Sequence, residues 1–104
     1  MKEERFKELV GKVELKYGVK FLKTPKLKTK EWEEVQNGMI ETQNKKEYCV
    51  ILDPKIQVLR SRQVIEQVVV QSLIELLLMQ NGKSRQEAHK DSIYGSSSIG
   101  GIIK

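Results

Sequence analysis

A chain of 104 residues with 38% apolar side chains has room for one domain and one hydrophobic core. Its 19 Lys and Arg against 14 Asp and Glu leave a net charge of +5, which favours anionic partners such as nucleic acid or an acidic protein face. A single cysteine, Cys49, excludes an intramolecular disulfide and a zinc site closed by thiolates.

Residues 3–17 carry Phe6, Leu9, Val10, Val13 and Tyr17, which line up on one helical face, and Gly18 supplies a left-handed stop. Residues 19–22 read as a short strand that ends at Thr24-Pro25, because proline lacks the donor a ladder needs. Residues 26–30 then read as basic and irregular, and 30–36 as a short helix around Trp32 and Val35, closed by the Asn37-Gly38 turn. Residues 39–42 and 47–52 form two strands of a hairpin with a polar tip at Gln43-Asn44-Lys45-Lys46. The nearly continuous apolar run from Tyr48 to Leu52 predicts a strand covered on both faces.

Asp53-Pro54 punctuates that strand, with Asp placed to cap the next element. Residues 61–80 form the centre of the fold. Gln63, Gln67, Gln71 and Glu75 recur every fourth residue as one narrow wet stripe, and nearly everything else is Val, Ile, Leu or Met. A helix apolar around most of its girth must be wrapped by other elements. Asn81-Gly82 ends it, and Ser84-Arg85-Gln86-Glu87 has the form of a capping box opening a last helix to about Ser92. The division is a compact domain over 1–94 and a flexible, Gly/Ser-rich apolar tail over 95–104.

The predicted fold class is α+β: a small antiparallel sheet packed against a long buried core helix and an N-terminal amphipathic helix. The opening Met1-Lys2-Glu3-Glu4-Arg5 has no apolar run suited to a secretory signal, and residues 64–79 are too interrupted by Glu and Gln to cross a membrane. A cytoplasmic protein is expected.

Little chemistry stands out. His89, the one histidine, has only Glu87 and Asp91 as near acids and reads as a surface residue. Cys49 falls in a buried strand, where a thiol stays inert. No catalytic residue, metal or cofactor is expected. The basic run is more informative: Lys16, Lys20, Lys23, Lys26, Lys28 and Lys30 occur with no acid between the first and the last. Held in one groove they would neutralise phosphates in a sequence-tolerant way; alternatively, they are the solvated lysines that keep an edge strand from aggregating. Trp32 and the apolar tail residues Ile99, Ile102 and Ile103 are candidates for a partner-binding surface, and the tail for a homodimer contact.

The order helix, strand, hairpin, core helix, with Val50-Ile51-Leu52-Asp53-Pro54 followed by Arg60-Ser61-Arg62-Gln63-Val64-Ile65, resembles the minimal core of the ImmA/IrrE-type zinc metallopeptidases over about residues 5–91. In that family the core helix carries two zinc-binding histidines four residues apart and a glutamate acting on bound water. Here the matching register places Gln71 and Glu75 at the histidine positions, Ser72 at the glutamate position and Glu87 near a third-ligand position. The resemblance implies a degenerate, catalytically dead relative reused for binding; without kinship, the same residues make a helix with one wet stripe. Two functions are carried forward. One is a non-enzymatic interaction or regulatory protein that occupies a protein partner, of a size that suits a phage or mobile-element product. The other is a nucleic-acid-binding module using Lys16 to Lys30.

Overall fold

The computed structural model describes residues 1–34, 39–43 and 47–98. In chain order they form α1 (Glu3–Tyr17), β1 (Lys26–Thr29), β2 (Met39–Gln43), β3 (Glu47–Leu52), α2 (Ile56–Leu59), α3 (Arg62–Gln80) and α4 (Arg85–Ser98). The protein is α+β, as its patterning predicts. No helix among these residues is long and apolar enough to cross a membrane.

α1 buries Phe6, Leu9, Val10 and Val13 on one face, and Gly18 closes it with a φ of 68° that a side chain would strain. The segment 19–22 is not a strand. The Glu14 carboxylate accepts the Phe21 N–H at 2.7 Å, and the Gln80 carbonyl oxygen accepts the N–H groups of Leu22 and Lys23 at 2.8 and 3.1 Å. Gln80 also donates to the Lys23 carbonyl. Two side chains thus satisfy backbone groups that a ladder would otherwise take. The strand forms after Pro25 instead, as β1, in the stretch expected to be irregular.

The sheet has the order β1-β3-β2 and is mixed, not antiparallel throughout: β2 runs against β3, whereas β1 runs parallel to it. β3 carries the most apolar run and takes the central slot, with Tyr48 through Leu52 all buried. The register pairs Leu27 with Val50 and Lys28 with Ile51. Alternation therefore sets Leu27, Val50 and Leu52 towards the helices, and Lys26, Lys28 and Glu47 towards the opposite face. The helix expected over 30–36 is absent from its described part, Lys30 to Glu34. Lys30 donates its N–H to the Leu52 carbonyl at 3.0 Å, and the Trp32 N–H reaches the Asp53 carboxylate at 3.5 Å. These bonds keep the chain extended beside β3. Asp53 is wholly buried; its carboxylate also accepts the Lys55 N–H at 3.0 Å, and Lys55 donates its ammonium to the Trp32 carbonyl. That knot starts the single turn α2.

α3 opens on Ser61, whose hydroxyl accepts the Val64 N–H at 3.3 Å. Every residue from Ser72 to Leu77 is buried, and the core gathers α1, α3 and the inner face of the sheet around Leu73, Ile74 and Leu76. The expected wet stripe is only half wet. Gln63 and Gln67 are exposed and Gln71 is half-buried, but Glu75 is buried because α4 lies across that end of α3. α4 starts with Ser84 accepting the Glu87 N–H at 3.2 Å and runs to Ser98, past the expected end at Ser92. Ala88 and Ser92, four residues apart, are both fully buried, and the Ser92 hydroxyl donates to the His89 carbonyl at 2.6 Å. The small side chains of Ala88 and Ser92 let this helix lie close to α3, and the helix continues through a stretch of weak intrinsic propensity that includes the first four residues assigned to the tail. The tail residues Ile99, Ile102 and Ile103 lie outside the described residues.

Candidate functional site: a basic strand edge

The six lysines of the basic run occupy four different settings. Lys16 lies in the last turn of α1, and Lys20 and Lys23 are exposed on the connection that Gln80 ties down. Lys26 and Lys28 stand on one face of β1, 69% and 43% exposed at their side chains, with their ammonium groups 3.7 and 3.2 Å from the same Glu47 oxygen. The hydrogen bond to Glu47 raises the Lys28 pKa, and the same contact lowers that of Glu47. One carboxylate is thus shared between two ammonium groups. Lys30 lies 5.5 Å from the centre of the half-buried Trp32 ring, within cation–π range.

β1 is an edge of the sheet. Because the Lys30 N–H bonds to Leu52 across a parallel register, alternation turns the N–H and C=O of Lys28 and Lys26 towards β3 as well. The N–H and C=O groups of Leu27 and Thr29 then face outward, where no strand pairs with them among the described residues. Just before the strand, Leu22 is 78% exposed. The result is a short, open backbone edge with cationic side chains along one face.

The positions compared with a zinc helix differ in burial and in partners. Gln71 is half-buried; the Ser72 hydroxyl is buried and donates to the Val68 carbonyl at 2.9 Å; Glu87 is exposed in the first turn of α4. Glu75 meets His89, with Oε2 3.2 Å from Nδ1, and no third acid, histidine or cysteine joins them in a metal-sized group among the described residues. His89 is exposed, as its polar surroundings predict, yet one ring nitrogen is engaged with a buried carboxylate. Cys49 is buried beside Glu47, and burial pushes its thiol pKa up, away from the thiolate.

Reading the sequence by its stripe missed Glu66. This residue is 4% exposed; both its oxygens accept from Arg5, Nε to Oε1 at 2.7 Å and Nη2 to Oε2 at 3.0 Å, while Arg62 Nε adds a bond of 3.2 Å. Arg5 also holds Glu8 at 2.8 Å. The bidentate bond from Arg5 lowers the Glu66 pKa, and that of Arg5 is raised in turn. The signal was present: Glu66 lies off the every-fourth-residue row of Gln63, Gln67, Gln71 and Glu75, so a helix places it towards the interior, where a carboxylate needs a cation. Compared with protein-family models, curated proteins and solved structures, this chain matches none of them.

Proposed function

We propose that this protein is a non-enzymatic binding module that receives an extended, acidic segment of a partner protein alongside β1. The observation that carries this reading is the open edge of β1, where Leu27 and Thr29 offer two N–H donors and two C=O acceptors beside the cations Lys26 and Lys28. A strand added there gains main-chain hydrogen bonds for affinity and charge pairing for selectivity. Lysines on an edge oppose pairing with a second basic copy of the same strand. They do not oppose an acidic strand, and Glu47 already supplies the type of group they accept. Trp32 and Leu22 flank the two ends of the edge. A degenerate descendant of a zinc metallopeptidase core, stripped of its ligands, fits the same role.

The experiment is fluorescence anisotropy with two labelled probes, an extended peptide alternating Glu with Val or Thr, and a single-stranded oligonucleotide. Thr29→Pro removes an outward donor and leaves the ladder to β3 intact. It should weaken peptide binding about threefold to tenfold, the value of roughly one hydrogen bond. Lys26→Glu with Lys28→Glu should nearly abolish it. A nucleic-acid module working through Lys16, Lys20, Lys23, Lys26, Lys28 and Lys30 would show the opposite: steeply salt-dependent oligonucleotide binding that ignores Thr29→Pro. That pattern, or no peptide binding at low salt, overturns the proposal.

A further inference from the structure

Away from β1, a groove of about 570 Å³ opens between the start of α1 and the start of α3, bounded by Lys2, Arg5, Gln57, Arg62, Ile65 and Glu66. Its volume lies in the range of small-molecule sites, roughly 300–1,000 Å³. Three cationic side chains converge on it, and the acidic lining group among the described residues is the buried carboxylate of Glu66. We infer that this groove binds a small organic oxyanion, a carboxylate or a phosphate monoester, through Arg62 and Lys2.

The chemistry follows from how Glu66 divides its partners. Arg5 commits Nε and Nη2 to Glu66 and Nη1 to Glu8, so its guanidinium is part of the scaffold. Arg62 is tied to Glu66 by Nε alone, and its side chain is 82% exposed. Its two terminal nitrogens, Nη1 and Nη2, bond no described residue. They form the pair of parallel donors that matches a carboxylate or phosphate edge, with the stem already anchored and part of its ordering cost met in the free protein. Lys2, the residue before α1, supplies a second cation from the facing wall. The Gln57 side chain, whose carbonyl oxygen accepts the Met1 amine at 2.8 Å, keeps its own N–H groups on this rim. Ile65 gives an apolar wall for the body of the ligand. Glu66 does not repel an anion here, because two guanidinium groups already neutralise its charge, and its carboxyl stays ionised to hold Arg62 in place.

The site can be tested on the full chain by following backbone amide NMR signals during titration with butyrate and, separately, with inorganic phosphate. Saturable shifts should cluster at residues 2–5 and 62–66. Arg62→Gln and Lys2→Gln should each weaken binding at least fivefold, while Lys20→Gln leaves it unchanged. Saturation by one probe and not the other names the oxyanion. Shifts that rise linearly with concentration, or equal losses with Lys20→Gln, would mean general charge screening and overturn the inference. Lys2→Gln disturbs no described hydrogen bond of its side chain, so it decides the matter even if Arg62→Gln loosens the fold. Because the readout lies at the helix starts and not on β1, its failure leaves the strand-edge proposal standing, and the reverse holds too.

Discussion

α3 and β1 both pack against β3, and they treat their polar groups in opposite ways. Along α3 the two buried carboxylates have partners, Arg5 and Arg62 for Glu66 and His89 for Glu75; the Ser72 hydroxyl returns to its own helix, and both ends are capped. On β1 half the backbone groups point away from β3 with no described strand to meet them, and two lysines share one carboxylate. Stability is therefore concentrated in α3 and the residues it touches, and β1 is where the proposed uptake of a partner strand would take place. Substitutions on the helix should register in unfolding, and substitutions on the edge should register in binding.

The largest effect is expected at the centre of α3. Leu73 is fully buried in the core shared by α1, α3 and the sheet, so Leu73→Ala should cost about 3 kcal/mol in urea unfolding. A loss under about 1 kcal/mol would mean that this part of the helix is not enclosed. Next comes Arg5→Met, which leaves Glu66 with only the exposed Arg62. Breaking such a pair costs roughly 2–3 kcal/mol, below the figure for a fully dry pair because Arg5 keeps some water. The same pair gives a pH signature. Folding depresses the Glu66 pKa from its ordinary 4.5, so its contribution is complete above that value and drains away as pH falls through the depressed one. Unfolding measured from pH 7 downward should show a steeper loss in the native chain than in Glu66→Gln; parallel curves would remove Arg5 as the cause. Ser92→Leu should come third, at about 1–3 kcal/mol, by forcing a larger side chain into the close approach of α4 to α3. Shortening of α4, seen as lost helical circular dichroism, should accompany it.

The helices around the core could be read directly from apolar spacing, because a 3.6-residue period and a left-handed glycine stop are local facts. β2 and β3 likewise announced themselves by their runs, while the polar tip expected between them falls on 44–46, outside the described residues. β1 did not. Whether Val19 to Leu22 or Lys26 to Thr29 becomes the strand depends on Glu14 and Gln80 claiming the first segment's backbone, and Gln80 lies 58 residues from Leu22 in the chain. Local propensity favours the wrong segment, and a distant side chain decides. The parallel pairing of β1 is of the same kind, since strand order is set by which strand can be covered on both faces. The candidate site inherits this pattern: the lysines were visible as a run, but the open edge beside which they stand appears only once β3 stands between β1 and β2. Glu66 was readable by its position off the polar row; its partner Arg5, 61 residues away, was not. Glu75 and His89 meet only because α4 folds back along α3.

The smallest expected effect is the most informative about the edge. Thr29→Pro should change unfolding stability by no more than about 0.5 kcal/mol, because the Thr29 N–H faces away from β3 and Pro is tolerated at the rim of a sheet. Lys28→Pro, one residue earlier, removes a donor that the register aims at Val50 and should cost clearly more, at least about 1 kcal/mol. The two substitutions use the same residue type on neighbouring positions of one strand, so differences in general proline strain cancel to first order. Equal costs would mean that both N–H groups are engaged, and β1 would then have no free edge to offer. A contrast between them, together with selective loss of peptide binding in Thr29→Pro, would locate the binding function on the backbone of this strand and leave its lysines the task of choosing an acidic partner.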